Sequence, residues 1–282
     1  GRPASRHPPP ARTPHPGTRS SARAVRLTFL GTGTSFGVPQ VGCDCAVCHS
    51  TDPRDRRSRS AALVTSGGAT ILIDTPPELR LQLLAARPPT IDAVLYTHEH
   101  ADHIAAIDDL RIYSVKAGRP VTVHGPAETL DRLRSSYRYI FDDSVRPPAG
   151  TSKPRLTLVP LEAGVEVMIA GLPVLPLAFP HGDLRVFGYR IGPVAYVTDV
   201  KRVEPAAIER LRGVEVLGLS ALWWRPHPTH QTIDEAIAAA RAIGADRTYL
   251  THLTHETGHA DLLARLPAGI EPAWDGLTVE VP

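Results

Sequence analysis

Sulfur is scarce in this 282-residue chain, which has three cysteines and one methionine. The odd cysteine count excludes a fully paired disulfide framework, and the spacing excludes a dispersed one, because all three lie between Cys43 and Cys48. That usage predicts a reducing, cytoplasmic setting. Long apolar runs are absent. Nothing approaches the roughly 20 residues of a membrane-spanning helix, so no membrane partner is expected. The N-terminal stretch has no apolar segment of the signal-peptide kind, which predicts no secretory signal. An excess of one charge is missing too. Lys and Arg number 31 against 29 Asp and Glu, a formal net charge of +2, which gives no case for a stable nucleic-acid partner. The basic stretch Arg54, Arg56, Arg57 and Arg59 is interleaved with Asp52 and Asp55, and reads as a solvated or substrate-rim segment.

Residues 1–24 lack large apolar side chains almost entirely and are rich in Pro and Arg. Such a stretch cannot bury enough surface to offset its ordering entropy, so a disordered tail is expected there. Residues 25–282 then form one domain, large enough for a full core at 42% hydrophobic content. Short β-prone runs alternate with helical ones, as in a layered α/β fold. Strands are predicted over 25–30, 61–65, 70–74, 93–97, 121–124, 156–160, 172–177, 187–191, 194–198, 216–219 and 247–251. Helices are predicted over 78–86, 127–139, 205–211, 233–243 and 260–265. The charged, Pro-rich stretch 142–154 reads as a loop able to edge the active site. No internal repeat of fixed short period is present.

Against that background one segment stands out. Thr97-His98-Glu99-His100-Ala101-Asp102-His103 reads H-x-H-x-D-H and follows the apolar run Ala93–Tyr96. Imidazole nitrogens and carboxylate oxygens are the usual donors to Zn²⁺ and similar ions. Alternate spacing lets His98 and His100 point to one side, while Asp102 and His103 reach a second ion. A two-metal site then needs a further His, a bridging carboxylate and a last His. His181, Asp199 and His252 supply them, each straight after a short β-prone run.

The cysteines form C-x-C-x-x-C, a good set of thiolates for Zn²⁺ that wants a fourth ligand. His255 is the candidate, three residues past His252, with His259 and His49 as weaker ones. Gly31-Thr32-Gly33-Thr34 lacks the third glycine of a dinucleotide fingerprint, since position 36 is Phe36, and lacks the P-loop lysine. Its glycines are expected to let the chain turn sharply after the first strand. Thr229 or Thr232 is expected to cap the helix at 233–243. From its position alone, Asp74 is expected to orient a metal-binding histidine.

The order H-x-H-x-D-H, His, Asp, His resembles the metallo-β-lactamase superfamily over residues 25–282. The resemblance implies an αββα sandwich with metals at its edge. It assigns His98, His100 and His181 to one metal, Asp102, His103 and His252 to the second, and Asp199 to the bridge. The segment 31–39 with C-x-C-x-x-C, the T-H-x-x-H at 251–255 and Trp274-Asp275-Gly276-Leu277 resemble the PhnP-like phosphodiesterases. That likeness implies a separate structural zinc on Cys43, Cys45, Cys48 and His255. It also makes His230 the non-ligand histidine that contacts phosphate or protonates the leaving oxygen, with His227 as its rival. Arg225 adds a possible phosphate contact.

The implied activity is hydrolysis of a small phosphodiester, such as a cyclic phosphate. Two ions about 3.5–4 Å apart share a water and make it acidic enough to attack phosphorus as hydroxide. Zn²⁺ and Mn²⁺ both suit the donors. A homodimer would suit the family. The alternatives are a tRNA 3′-processing nuclease, a thioester hydrolase and a PqqB-like non-hydrolytic biosynthetic protein.

Overall fold

Strand β1 (Val25–Gly31) shows the alternation of a half-buried strand: Leu27 and Phe29 are buried, while Arg26 faces out. A computed structural model describes residues 24–282, so the expected tail lies outside the described residues except for Ala24. β1 joins β2 (Ala61–Ser66), β3 (Ala69–Ile73), β4 (Ala93–Leu95), β5 (Val121–Gly125) and β6 (Leu156–Pro160) in one sheet. A second sheet holds β7 (Val167–Ile169), β8 (Leu172–His181), β9 (Leu184–Ile191), β10 (Val194–Val197), β11 (Val216–Ser220), β12 (Arg247–Thr251) and β13 (Ile270–Pro272). β14 (Thr278–Val281) returns to pair antiparallel with β1 in the first sheet. Each sheet is antiparallel in one part and parallel in the other: β3 to β6 run parallel, and so do β10 to β13.

The sheets pack face to face through Leu27, Phe29, Val64, Ile71 and Leu95 on one side and Tyr189, Tyr196, Val216 and Tyr249 on the other. Helices cover both outer faces. α1 (Leu79–Ala86) and α4 (Ala127–Ser136) pack on Leu63, Leu72, Val94 and Val123. α6 (Pro205–Leu211), α7 (Ile233–Ile243) and α8 (His259–Arg265) pack on Leu175, Leu217, Leu219 and Leu250. The fold is the expected αββα metallo-β-lactamase sandwich. Strands such as β11, buried along their whole length, read as continuous apolar runs because both faces are covered. Among the described residues no helix is long and apolar enough to cross a membrane.

Several details depart from expectation. α2 (Ala101–Ile104), which carries Asp102 and His103, a 3₁₀ turn at Ile107–Leu110 and α3 (Arg111–Ala117) are further elements, each too short to show a clear apolar period. The helix expected over 127–139 breaks at Tyr137 into α4 and α5 (Arg138–Phe141). The strands β7, β13 and β14, three or four residues each, were too short to signal themselves. Thr232 caps α7: it accepts from Glu235 N at 3.1 Å while Glu235 accepts from Thr232 N at 2.7 Å.

The glycines at and just beyond the end of β1 serve proximity rather than a turn. A Cβ on Gly31 would lie 2.0 Å from the Arg59 carbonyl oxygen, and one on Gly33 2.8 Å from that of Arg57. Arg57 itself is buried, not solvated. Its Nη1 donates to Thr32 Oγ1 at 3.0 Å and to the Ala273 carbonyl at 2.6 Å. Asp275 accepts from the backbone and hydroxyl of both Thr32 and Ser58, at 2.6 to 2.9 Å. These bonds lock the segment after β1 beside the chain that carries the cysteines. Gly31→Ala should cost roughly 2–3 kcal/mol of stability, because the contact is with backbone that cannot rotate away. Urea unfolding checks this, and an unchanged midpoint would contradict the packing account.

Candidate metal centre

The donor residues sit where strands end. His181 is the last residue of β8, Asp199 lies two beyond β10, and His252 follows β12. Asp74 follows β3 directly. Asp74, Asp199 and His252 have φ of 63°, 59° and 59°, a left-handed backbone that is uncommon for residues with a Cβ. Held strain of this kind collects at functional sites.

Two donor sets result. One ligand atom each from His98, His100 and His181 lie within 4.8 Å of one another, and so do those of Asp102, His103 and His252. Asp199 lies between the sets. Its Oδ2 is 3.3 Å from His103 Nε2, and its Oδ1 is 2.9 Å from His252 Nε2. His103 Nε2 is 3.4 Å from Asp102 Oδ2, and His98 Nε2 is 3.0 Å from His100 Nδ1. Ligands held at 2.0–2.2 Å around a tetrahedral ion stand roughly 3.4 Å apart. The buried Nε2 atoms of His103 and His252 make no directed hydrogen bond despite these carboxylates, so their lone pairs address the space between the groups.

The Nδ1 atoms of His98, His103 and His181 are fixed by hydrogen bonds, whereas that of His252 is buried without one. Thr97 donates its backbone N–H and its hydroxyl to Asp74, both at 2.8 Å. With that hydroxyl proton used, Thr97 Oγ1 accepts from His98 Nδ1 at 2.9 Å. His103 Nδ1 donates to Asp74 Oδ2 at 2.7 Å, and His181 Nδ1 donates to the Thr229 carbonyl at 3.1 Å. Each bond leaves Nε2 facing inward as a bare donor.

Charge completes the case. Burial favours a neutral His103, yet the carboxylates of Asp199, Asp74 and Asp102 hold its imidazole well above the ordinary value. Burial would likewise raise Asp199, but His252 and His103 hold its carboxyl well below the usual range. Three carboxylates thus crowd one imidazole. A divalent ion balances them better than ring protons, and the donor set fits one. Burial pushes His98 down, toward the neutral form that binds metal.

His230 stacks on His252 with ring centroids 4.7 Å apart. Burial and the charge on His252 push its pKa down to about 3, so the ring is neutral. It lines a cavity of about 630 Å³ together with His100, Asp102, His181, Asp199 and His252. His227 does not line that cavity; its Nδ1 accepts from the Thr229 backbone and hydroxyl at 3.3 Å. Ser35, Asp183 and Leu184 do line it, and tertiary folding alone brings them there. Arg225 does not. It pairs with Glu256 and lies over the Trp223 ring at 4.1 Å. The 142–154 loop also stays away from this cavity. Ser152 lines a groove beside α1 and α3 instead. A larger cavity of about 1070 Å³, between α1 and the outer face of β1 and β2, holds no such donor cluster.

The second cluster is separate. His255 Nδ1 lies 3.2, 3.3 and 3.4 Å from the sulfurs of Cys43, Cys45 and Cys48. Zn–S near 2.3 Å and Zn–N near 2.0 Å would put such atoms roughly 3.5 Å apart. The Cys48 backbone N–H holds the Cys45 thiol down to about 6, while burial pushes the Cys48 thiol up to about 11. Cys45 is thus a thiolate beside the Cys48 thiol, and a cation bound among the sulfurs would favour their deprotonated form. His49 bonds the Cys45 carbonyl, and His259 lies edge-on to Trp274 at 5.5 Å, so neither joins the sulfurs.

A family model described as the beta-lactamase superfamily domain matches residues 69–253. The chain belongs to the beta-lactamase superfamily. Within it the chain is PhnP-like: a new diphosphatase from the PhnP family superposes with a TM-score of 0.84 at 39% identity, over 92% of this chain and 97% of that one. An octanoyltransferase of Porphyromonas gingivalis is 40% identical over 256 residues, 90% of this chain and 51% of that protein. The chain spans about half the length of that curated relative. Zn²⁺-bound PqqB from Methylobacterium extorquens has a TM-score of 0.70 at 21% identity over 90% of this chain and 99% of that one, a likeness of fold alone.

Asp74→Asn should weaken metal binding about 10–100-fold, because it disturbs the orientation of His103 and, through Thr97, of His98. Competition with a chromophoric chelator measures this, and unchanged affinity would refute the orienting role. Cys45→Ser should remove one equivalent of metal and lower the melting temperature while the other equivalents stay. Full metal content in Cys45→Ser would show that the cysteine cluster holds none.

Proposed function

We propose that this chain is a dinuclear-metal hydrolase that cleaves small phosphodiesters, cyclic ones included. One observation carries the reading: two donor sets meet at Asp199 beside a neutral His230 on an open cavity. In this reading His98, His100 and His181 hold one ion, Asp102, His103 and His252 the other, and Asp199 bridges. Zn²⁺ or Mn²⁺ would supply Lewis acidity and an acidified water at neutral pH. Asp102 lines the cavity, so its carboxylate can accept a hydrogen bond from the attacking water. His230, neutral beside His252, offers its N–H as a hydrogen bond to a phosphate oxygen or to the leaving oxygen and keeps the proton. The cysteine cluster with His255 takes a structural zinc that fixes the neighbouring loop.

The PhnP-family diphosphatase supports phosphoryl chemistry, and its name favours a second reading, cleavage of a P–O–P bridge. The octanoyltransferase name belongs to a protein of about twice the length and gives no donor role to this site. Hydrolysis of bis(p-nitrophenyl) phosphate and of ADP by the metal-loaded protein separates these readings. We expect the diester to be cleaved. His230→Ala should keep its metals and lose about 10²-fold or more in kcat, the usual scale for removing one hydrogen-bond donor to developing negative charge. Asp102→Ala should lose both metal and activity. Cleavage of ADP alone would replace the diesterase by the diphosphatase, and no cleavage of either would contradict both.

A further inference from the structure

Phe36 is 66% exposed, whereas Phe29, Phe179 and Phe187 are buried in the sandwich. It follows Ser35, which lines the cavity of the metal centre. Among the described residues no other ring stacks on it. The turn that presents it is tightly bonded. Gly37 N donates to the Thr34 carbonyl at 2.9 Å, and Phe36 N to Thr34 Oγ1 at 3.3 Å. Gly37 takes φ of 67°, which suits glycine. Arg59 Nε donates to the Ser35 carbonyl at 2.6 Å, and Arg59 is itself paired with Glu78. On the far side, Val38 and Arg57 exchange backbone bonds of 2.7 and 2.8 Å. An exposed aromatic ring on an immobilised turn keeps apolar surface in water without a folding benefit. It can meet a planar ligand, however, with little ordering cost.

We propose that Phe36 is a specificity-determining residue that stacks on the base of a nucleotide substrate whose phosphate occupies the metal centre. This rests on reading that centre as a phosphodiesterase site. The cavity of about 630 Å³ suits a ligand of nucleotide size, and its lining, rich in His and Asp, serves the phosphate rather than a base. Leu184 is the one large apolar side chain in that lining, which holds no aromatic ring besides its histidines; Phe36, next to Ser35 at the rim, would add one, and aromatic rings accept any base because every base presents a π-face.

The test is calorimetric binding of AMP and of ribose 5-phosphate to metal-loaded wild type, Phe36→Ala and Phe36→Trp. AMP should bind wild type more tightly than ribose 5-phosphate does. Phe36→Ala should weaken AMP about tenfold and leave ribose 5-phosphate unchanged, while Phe36→Trp retains AMP affinity. Equal affinity of the two ligands for wild type, or equal effects of Phe36→Ala on both, would overturn the proposal. Turnover of 2′,3′-cyclic AMP is followed in parallel. If it fails while the binding pattern holds, the phosphodiesterase reading falls and the base contact stands.

Discussion

A buried carboxylate organises this molecule. Asp74 lies at the end of β3 with no solvent exposure and takes hydrogen bonds from Thr97 and His103. It thereby ties β3 to the turn after β4, where the histidine motif begins. Three donors converge on it, so it is bound as a carboxylate, and that charge needs a neighbour of opposite sign. His103 meets it on one side. On its other side His103 faces Asp102 and Asp199. The charge in the sandwich edge is therefore passed outward, from Asp74 through an imidazole to two further carboxylates. A cation bound at the cavity would end that chain.

The fold provides this geometry by placing strand ends of two sheets at one edge. β3 and β4 run parallel in the first sheet, β10, β11 and β12 in the second, so their ends bring Asp74, Asp199 and His252 together. Left-handed backbone at these three positions turns the side chains into the site. The same edge carries the cysteine loop. Leu253 N donates to the Thr32 carbonyl at 2.9 Å, one residue past His252 and two before His255. One strand-like contact thus holds a donor of each cluster. The buried bonds of Arg57 and Asp275 keep that contact from shifting.

Much of this was legible in the sequence because the relevant signals are local. H-x-H-x-D-H is a spacing, and each later donor follows an apolar run that reads as a strand. Burial on both faces makes those runs continuous, so their ends are easy to place. What escaped depends on contacts distant in sequence. Gly31 and Gly33 looked like turn residues, but the chain of Arg57 to Arg59, far along the sequence, is what requires them. Arg57 sits in a charged stretch and nothing local marks it as buried. Ser35 and Asp183 join the cavity through the fold, while Arg225 is drawn away by Glu256 and Trp223. The helical turns from Ala101 to Ala117 were hidden because each is only four to seven residues long, too short for an apolar period to show.

In the proposed enzyme the seven His and Asp donors hold two divalent ions and the cysteine cluster a third. Anomalous diffraction from crystals of the purified, metal-loaded protein, collected at the zinc and manganese absorption edges, tests it directly. The account predicts two peaks flanking Asp199 and one among Cys43, Cys45, Cys48 and His255. No anomalous peak beside Asp199 would contradict it.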